Sequence, residues 1–181
     1  MPEIKGTDIV LLRKLNKEKD DQLEQTLFAK LSEQARDVYL HAMPISWTPI
    51  DIQAQIYEAV AEVMYPGDKN RIFKLHLDLA KRTYTGLYKV FLAIPSVQFV
   101  IKRAASIWRT YYNAGETSVE NISDKALDFI VTGFPELPFA MRESTNAHIV
   151  YLAQATGKKG VAIKRDDSNR EKWVWHVSWE S

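Results

Sequence analysis

Four histidines, His41, His76, His148 and His176, are the residues of this chain best suited to acid–base or metal chemistry. No two of them are three or four residues apart, so none can form a metal-binding pair on one helical face; assembly from distant elements stays open. The chain contains no Gly-x-Ser-x-Gly, no Gly-rich phosphate loop and no His-Glu-x-x-His. It has no cysteine, which removes disulfides, thiolate catalysis and cysteine zinc sites. No cofactor or metal is expected. His76 falls between Ile72, Leu79 and Ala80 on a helical wheel, near the centre of an apolar arc. A buried imidazole there needs a hydrogen-bond partner or a ligand. His148 sits in the same way beside Met141 and Leu152. Both read first as core or interface histidines, and second as ligand contacts. The carboxylates of Asp166-Asp167 read as turn chemistry in a hairpin loop.

Aromatic residues make the second candidate site. A helix over Val97–Asn113 presents Val97, Val100, Ile101, Ala104, Trp108, Tyr111 and Tyr112 as one wide apolar arc. Trp108, Tyr111 and Tyr112, with His76, Tyr84 and Tyr88, form the candidate ligand-binding set; aromatics in such number are also what a core uses. Phe99 points to the polar side of the same helix, Lys102 and Arg109 lie on one flank, and Arg103 lies on the other. These four are the candidate interface residues.

The elements that would position these groups divide into two parts, 1–115 and 116–181, of a single domain. Helices are expected from Ile9 after a cap at Thr7 or Asp8, over 21–30, and from a Ser32 cap to His41. Met43–Trp47 reads as a connector. Thr48-Pro49-Ile50-Asp51 reads as an N-cap followed by a first-turn proline and an acid, opening a helix that ends at Tyr65-Pro66-Gly67. Asp68 would cap the next helix, broken at Thr83–Gly86. A short helix over Leu87–Ile94 follows, and Pro95-Ser96 opens the helix that ends at Gly115. Beyond Gly115 the period changes to two. Strands at 118–123 and 125–132, a helix over 139–156 and strands at 160–165 and 172–180 give ββαββ. In the last strand Trp173, Trp175, Val177 and Trp179 share the face the helices would cover. The expected fold class is α+β: five to seven helices packed with an antiparallel ββαββ sheet module.

Composition and charge narrow the partners. The 181 residues, 46% hydrophobic and 26% charged, are those of an ordinary globular domain. No apolar run reaches membrane-span length and Met1–Gly6 lacks a signal peptide's apolar stretch, so a cytoplasmic domain is expected. Lys/Arg number seven against twelve Asp/Glu in 1–68, nine against one in 69–115, and eight against ten in 116–181. The basic middle third is expected to be neutralised within the fold, by the acidic side of the Asp51–Glu62 helix first. An acidic protein partner is the second reading and nucleic acid a distant third.

Several short motifs carry a family resemblance: Ile4-Lys5-Gly6, Pro44 with Trp47, Tyr65-Pro66-Gly67-Asp68, Gly86, Leu92 to Pro95, and Trp108 through Tyr112 ending at Gly115. With helices followed by ββαββ, the chain resembles a myxobacterial-type family of bacterial paralogues. That family is similar to the ligand-binding superfamily of haem nitric-oxide-binding (H-NOX) domains, four-vinyl-reductase-type domains and core subunits of the TRAPP complex. The resemblance implies a pocket for a small apolar ligand between helices and sheet, and a homodimer. The haem branch uses a Tyr-x-Ser-x-Arg motif that this chain lacks; Trp108-Arg109-Thr110-Tyr111-Tyr112 does not supply it. The function expected is a non-enzymatic sensory or scaffolding domain. The alternative is an enzyme with His76 or His148 as general base near Tyr84 or Tyr112.

Overall fold

The N-terminal residues extend before any helix begins, and this short segment organises the rest. In the computed structural model, which describes residues 1–19, 21–84 and 96–180, β1 (Glu3–Lys5) pairs antiparallel with β2 (Trp47–Pro49), Ile4 lying opposite Thr48. Between them run α1 (Thr7–Lys19), α2 (Asp21–Lys30) and α3 (Glu33–His41). Then come α4 (Ile50–Met64), α5 (Arg71–Thr83), α6 (Val97–Ser106) and the one-turn α7 (Trp108–Tyr111). The second part is β3 (Glu116–Ser123), β4 (Ala126–Thr132), α8 (Phe139–Ala155), β5 (Ala162–Asp166) and β6 (Lys172–Ser178). These four strands form one antiparallel sheet in the order β3-β4-β6-β5. The fold is α+β, with seven helical segments ahead of ββαββ among the described residues. No described helix is long and apolar enough to cross a membrane.

Strand alternation builds the inner face of the sheet. Leu127, Phe129 and Val131 of β4 stand opposite Val177, Trp175 and Trp173 of β6, and all six are buried. Each buried tryptophan removes about 150–250 Å² from water, roughly 4–6 kcal/mol before entropy is subtracted. The Trp173 indole donates to Phe134 O at 2.8 Å. On the outer face, His176 and Asp128 face each other at 2.8 Å. α8 lies between the two parts of the chain, packed on α5 and α6 from one side and reaching β5 from the other.

Local capping holds where expected at two helices: Ser32 Oγ accepts from Ala35 N and Ser96 Oγ accepts from Phe99 N, both at 3.2 Å. Elsewhere tertiary contacts change the local reading. Trp47 belongs to β2 and is not part of a connector. Thr48 does not cap α4; Pro49 occupies the cap position without a side-chain bond. The Thr48 hydroxyl is turned inward, 2.6 Å from Gln53 Oε1 and 3.0 Å from Ile4 O, because strand pairing buries it. α5 begins at Arg71, and Asp68 instead accepts from Asn70 N and pairs with Lys74. The Val97–Asn113 helix is interrupted at Ile107, which has ψ of 0° and divides α6 from α7. The expected helix over 87–94 lies outside the described residues, as do Gly86 and Leu92 to Pro95.

The basic middle third finds its carboxylates close by. Lys74 pairs with Asp68, Lys81 with Asp78 and Arg109 with Glu116. From the acidic first third, Glu18 of α1 reaches Arg82 at 2.7 Å, whereas Glu62 of α4 pairs with Lys30 at 2.6 Å. Glu62 also feels the charge of Arg71, so the acidic side of α4 offsets the basic third in part, beside the carboxylates above. Such exposed pairs each stabilise little.

Gly6 marks the closest approach in the N-terminal part. Its N–H donates to Ser46 O at 2.9 Å, and a Cβ there would sit 2.6 Å from Met43 O. Gly6→Ala must push two backbone segments apart. It is expected to lower stability by roughly 1–3 kcal/mol, read from the urea midpoint. An unchanged midpoint would contradict this packing.

Candidate functional site: a cavity between helices and sheet

Seven elements leave a cavity of about 130 Å³ between the helical part and the sheet. β1 contributes Ile4, the first turn of α1 contributes Thr7 and Asp8, and the end of α5 contributes Thr83 and Tyr84. α6 and α7 supply Ala104, Ile107, Trp108 and Tyr111, with Tyr112 immediately after, and β4 supplies Phe129. From α8 come Ser144, Thr145, His148, Ile149 and Leu152, spaced so that successive turns of one helix present a single stripe to the cavity.

The aromatic wall is ordered by its own contacts. Trp108 and Tyr112 stack with ring centroids 3.9 Å apart and 9° between planes. The indole N–H donates to Ala114 O at 2.9 Å, which fixes the Trp108 ring as the chain turns toward β3. Ile4 makes a bridge to Tyr112, and Asn113 exchanges bonds with Glu3, so β1 is fastened to this wall. Tyr84 stacks on Tyr151 at 5.6 Å and meets the His148 ring edge-on at 5.9 Å.

Polar groups on the wall are few. Asp8 accepts a bond at Oδ2 from the Tyr57 hydroxyl, at 3.2 Å. His148 Nδ1 lies 2.8 Å from Ser144 O; the ring donates Nδ1–H there and keeps its lone pair on Nε2. Burial, then the charge of Asp8 and the neighbouring Tyr84, pushes the Tyr112 phenol well above its ordinary range. Tyr57 is raised in the same way, by burial first and Asp8 second.

Of the candidate ligand-binding residues, Tyr84, Trp108, Tyr111 and Tyr112 meet on the wall. His76 lies one layer behind it, fully buried, its ring edge-on to Tyr57 at 4.4 Å and 6.4 Å from His148. Neither of its nitrogens has a hydrogen-bond partner among the described residues. Tyr88 lies outside the described residues. The candidate interface residues run along α6 and α7: Phe99 is 43% exposed, Lys102 and Arg103 are exposed, and Arg109 is held by Glu116. Asp8, which also lines the cavity, was not singled out by the sequence, whereas His148 was read there as a ligand contact second to a core histidine. No group of three or more described His, Asp or Glu side chains could hold a metal ion.

The architecture around this cavity is that of the H-NOX proteins. The Fe(II) unliganded H-NOX protein from K. algicida superposes with a TM-score of 0.71 at 9% identity, over 98% of this chain and 97% of that one. The S. oneidensis H-NOX protein in its Fe(II)NO ligation state gives 0.69 at 9% identity, over 98% and 100%. A single-site mutant of T. Tengcongensis H-NOX gives 0.68 at 10% identity, over 98% of each chain. At these identities the likeness establishes the fold alone. No protein-family model and no curated protein sequence matches the chain.

The His76 environment has a consequence for stability. Burial, and secondarily the neighbouring His148, holds its pKa well below the ordinary 6.5. The folded ring stays neutral while the unfolded chain takes up a proton, so stability falls as pH drops below about 6.5, by about 1.4 kcal/mol per pH unit for this one group. His76→Leu, of similar volume, is expected to flatten the acid limb of stability against pH by one proton. Equal slopes in urea titrations at pH 7, 6 and 5 would contradict the assignment.

Proposed function

We propose that this chain is a non-enzymatic sensory or scaffolding domain that holds a small molecule with an apolar body in the cavity between helices and sheet. The observation that carries this reading is the cavity, about 130 Å³ and walled by Ile4, Ile107, Trp108, Phe129, Ile149 and Leu152 with only a few polar groups. Dry cavities near this size take ligands such as benzene. Convergent aromatic walls with few polar groups are the ordinary form of a small-molecule site.

The fold family raises haem, since structural neighbours are described in Fe(II) and Fe(II)NO states. The described residues do not suit that group. Haem is many times larger than benzene, and the Trp108–Tyr112 stack fills one side of the space. Haem also brings two carboxylates. Among the described residues the cavity's one Lys or Arg, Lys5, has its ammonium over the Trp47 ring and bonded to Ile45 O, while Asp8 adds a negative charge. The ligand favoured is smaller and carries no carboxylate.

One observation favours the enzymatic alternative. His148 is on the cavity wall, and Ser144 O orients its ring in the manner of a general base. His76, sealed behind Tyr57, is not placed for that role. Self-association belongs to the same proposal, with the exposed Phe99 of α6 at the contact between copies.

Native mass spectrometry of protein purified from cells tests the reading. The expected spectrum is a dimer carrying a small neutral or cationic molecule that solvent extraction removes. Leu152→Trp, which fills the cavity, is expected to abolish that added mass while the chain stays folded. A spectrum of bare chain from every preparation, with no uptake of added toluene, would overturn the ligand reading.

A further inference from the structure

We propose that the cavity selects a small aromatic amine in its protonated form, with the Asp8 carboxylate recognising the charge. This rests on the reading that the cavity holds a ligand, and it names the chemistry of that ligand. Several polar groups on the wall already donate to backbone carbonyls. Thr7 Oγ1 donates to Pro44 O at 3.0 Å, Thr145 Oγ1 to Met141 O at 3.1 Å, and the Trp108 indole to Ala114 O at 2.9 Å. The Lys5 ammonium donates to Ile45 O at 2.8 Å. Each of these four bonds a backbone carbonyl, and the Lys5 ammonium is held away toward Trp47 and Ile45.

Two acceptors stay available. Asp8 takes one hydrogen bond, from Tyr57, and forms no ion pair among the described residues. His148 directs Nδ1 at Ser144 O, which in the neutral ring puts the acceptor lone pair on Nε2. A carboxylate at the edge of an apolar cavity is best met by a cation that also donates hydrogen bonds. The faces of Trp108, Tyr112 and Phe129 attract cations as well. An ammonium attached to a single ring matches these features: its N–H groups donate to Asp8, its charge offsets the carboxylate, and its ring lies against the aromatic wall. A carboxylate ligand meets the opposite field.

Isothermal titration of the full chain with benzylamine, benzyl alcohol, toluene and benzoate tests this. Benzylamine is expected to bind about ten- to a hundredfold more tightly than toluene or benzyl alcohol, the range of one charge-assisted hydrogen bond. Benzoate is expected not to bind. Asp8→Asn keeps an acceptor for Tyr57 but removes the charge; it is expected to erase the preference for benzylamine over toluene. Toluene or benzyl alcohol matching benzylamine on the unaltered chain would overturn the amine selectivity while leaving the cavity reading intact. No binding by any of the four would overturn both. The comparison of probes on the unaltered chain decides the matter even if Asp8→Asn fails to fold.

Discussion

A buried chain of hydrogen bonds joins the N-terminal strand to the helical part, and the cavity depends on it. Thr48 of β2 meets Ile4 O and Gln53, Gln53 Nε2 donates to the Tyr57 hydroxyl at 2.6 Å, and Tyr57 donates to Asp8. Gln53 and Tyr57 are fully buried and Thr48 nearly so. Each member left without its partner would cost about 1–3 kcal/mol, so the network is coherent only when β1, β2, α1 and α4 are all in place. Its two ends, Ile4 and Asp8, are both on the cavity wall. The constraint that fixes the N-terminal strand therefore also fixes one apolar and one charged group of the site.

The opposite wall is set by a different device. α8 carries a stripe of small, polar and aliphatic residues toward the cavity and packs its remaining surface on α5, α6 and β5. The aromatic wall between them is held by the Trp108 indole on Ala114 O and by the bridge from Ile4 to Tyr112. Three independent supports thus converge on one space. Preorganisation of this kind lowers what any ligand must order on binding.

Much of this was legible in the chain, and the limits have physical causes. Alternation in Leu127, Phe129 and Val131 and in Trp173, Trp175 and Val177 identified the inner face of the sheet, because strand period and burial act over adjacent residues. Ser32 and Ser96 were readable as caps for the same reason. The strands Glu3–Lys5 and Trp47–Pro49 were not, since three residues carry no period and their pairing spans more than forty positions. That pairing also turned Thr48 from an apparent cap into a buried link. The break at Ile107 has neither proline nor glycine to announce it. The aromatic half of the site was visible as Tyr84, Trp108, Tyr111 and Tyr112. Asp8 was not, because a carboxylate in the first turn of a helix has a sufficient local explanation. His76 drew notice for its place in an apolar arc, and the structure puts it behind the cavity wall with His148 at the surface of the site.

The central claim is that an apolar space open to small ligands exists between Trp108, Phe129 and the α8 stripe. Diffraction from crystals pressurised with xenon tests it without assuming any ligand identity, because xenon occupies dry apolar cavities on size and polarisability alone. The account predicts a single strong xenon site in contact with Trp108, Ile149 and Leu152. A cavity filled by ordered water that xenon does not displace, or side chains closed over it with no xenon present, would contradict it.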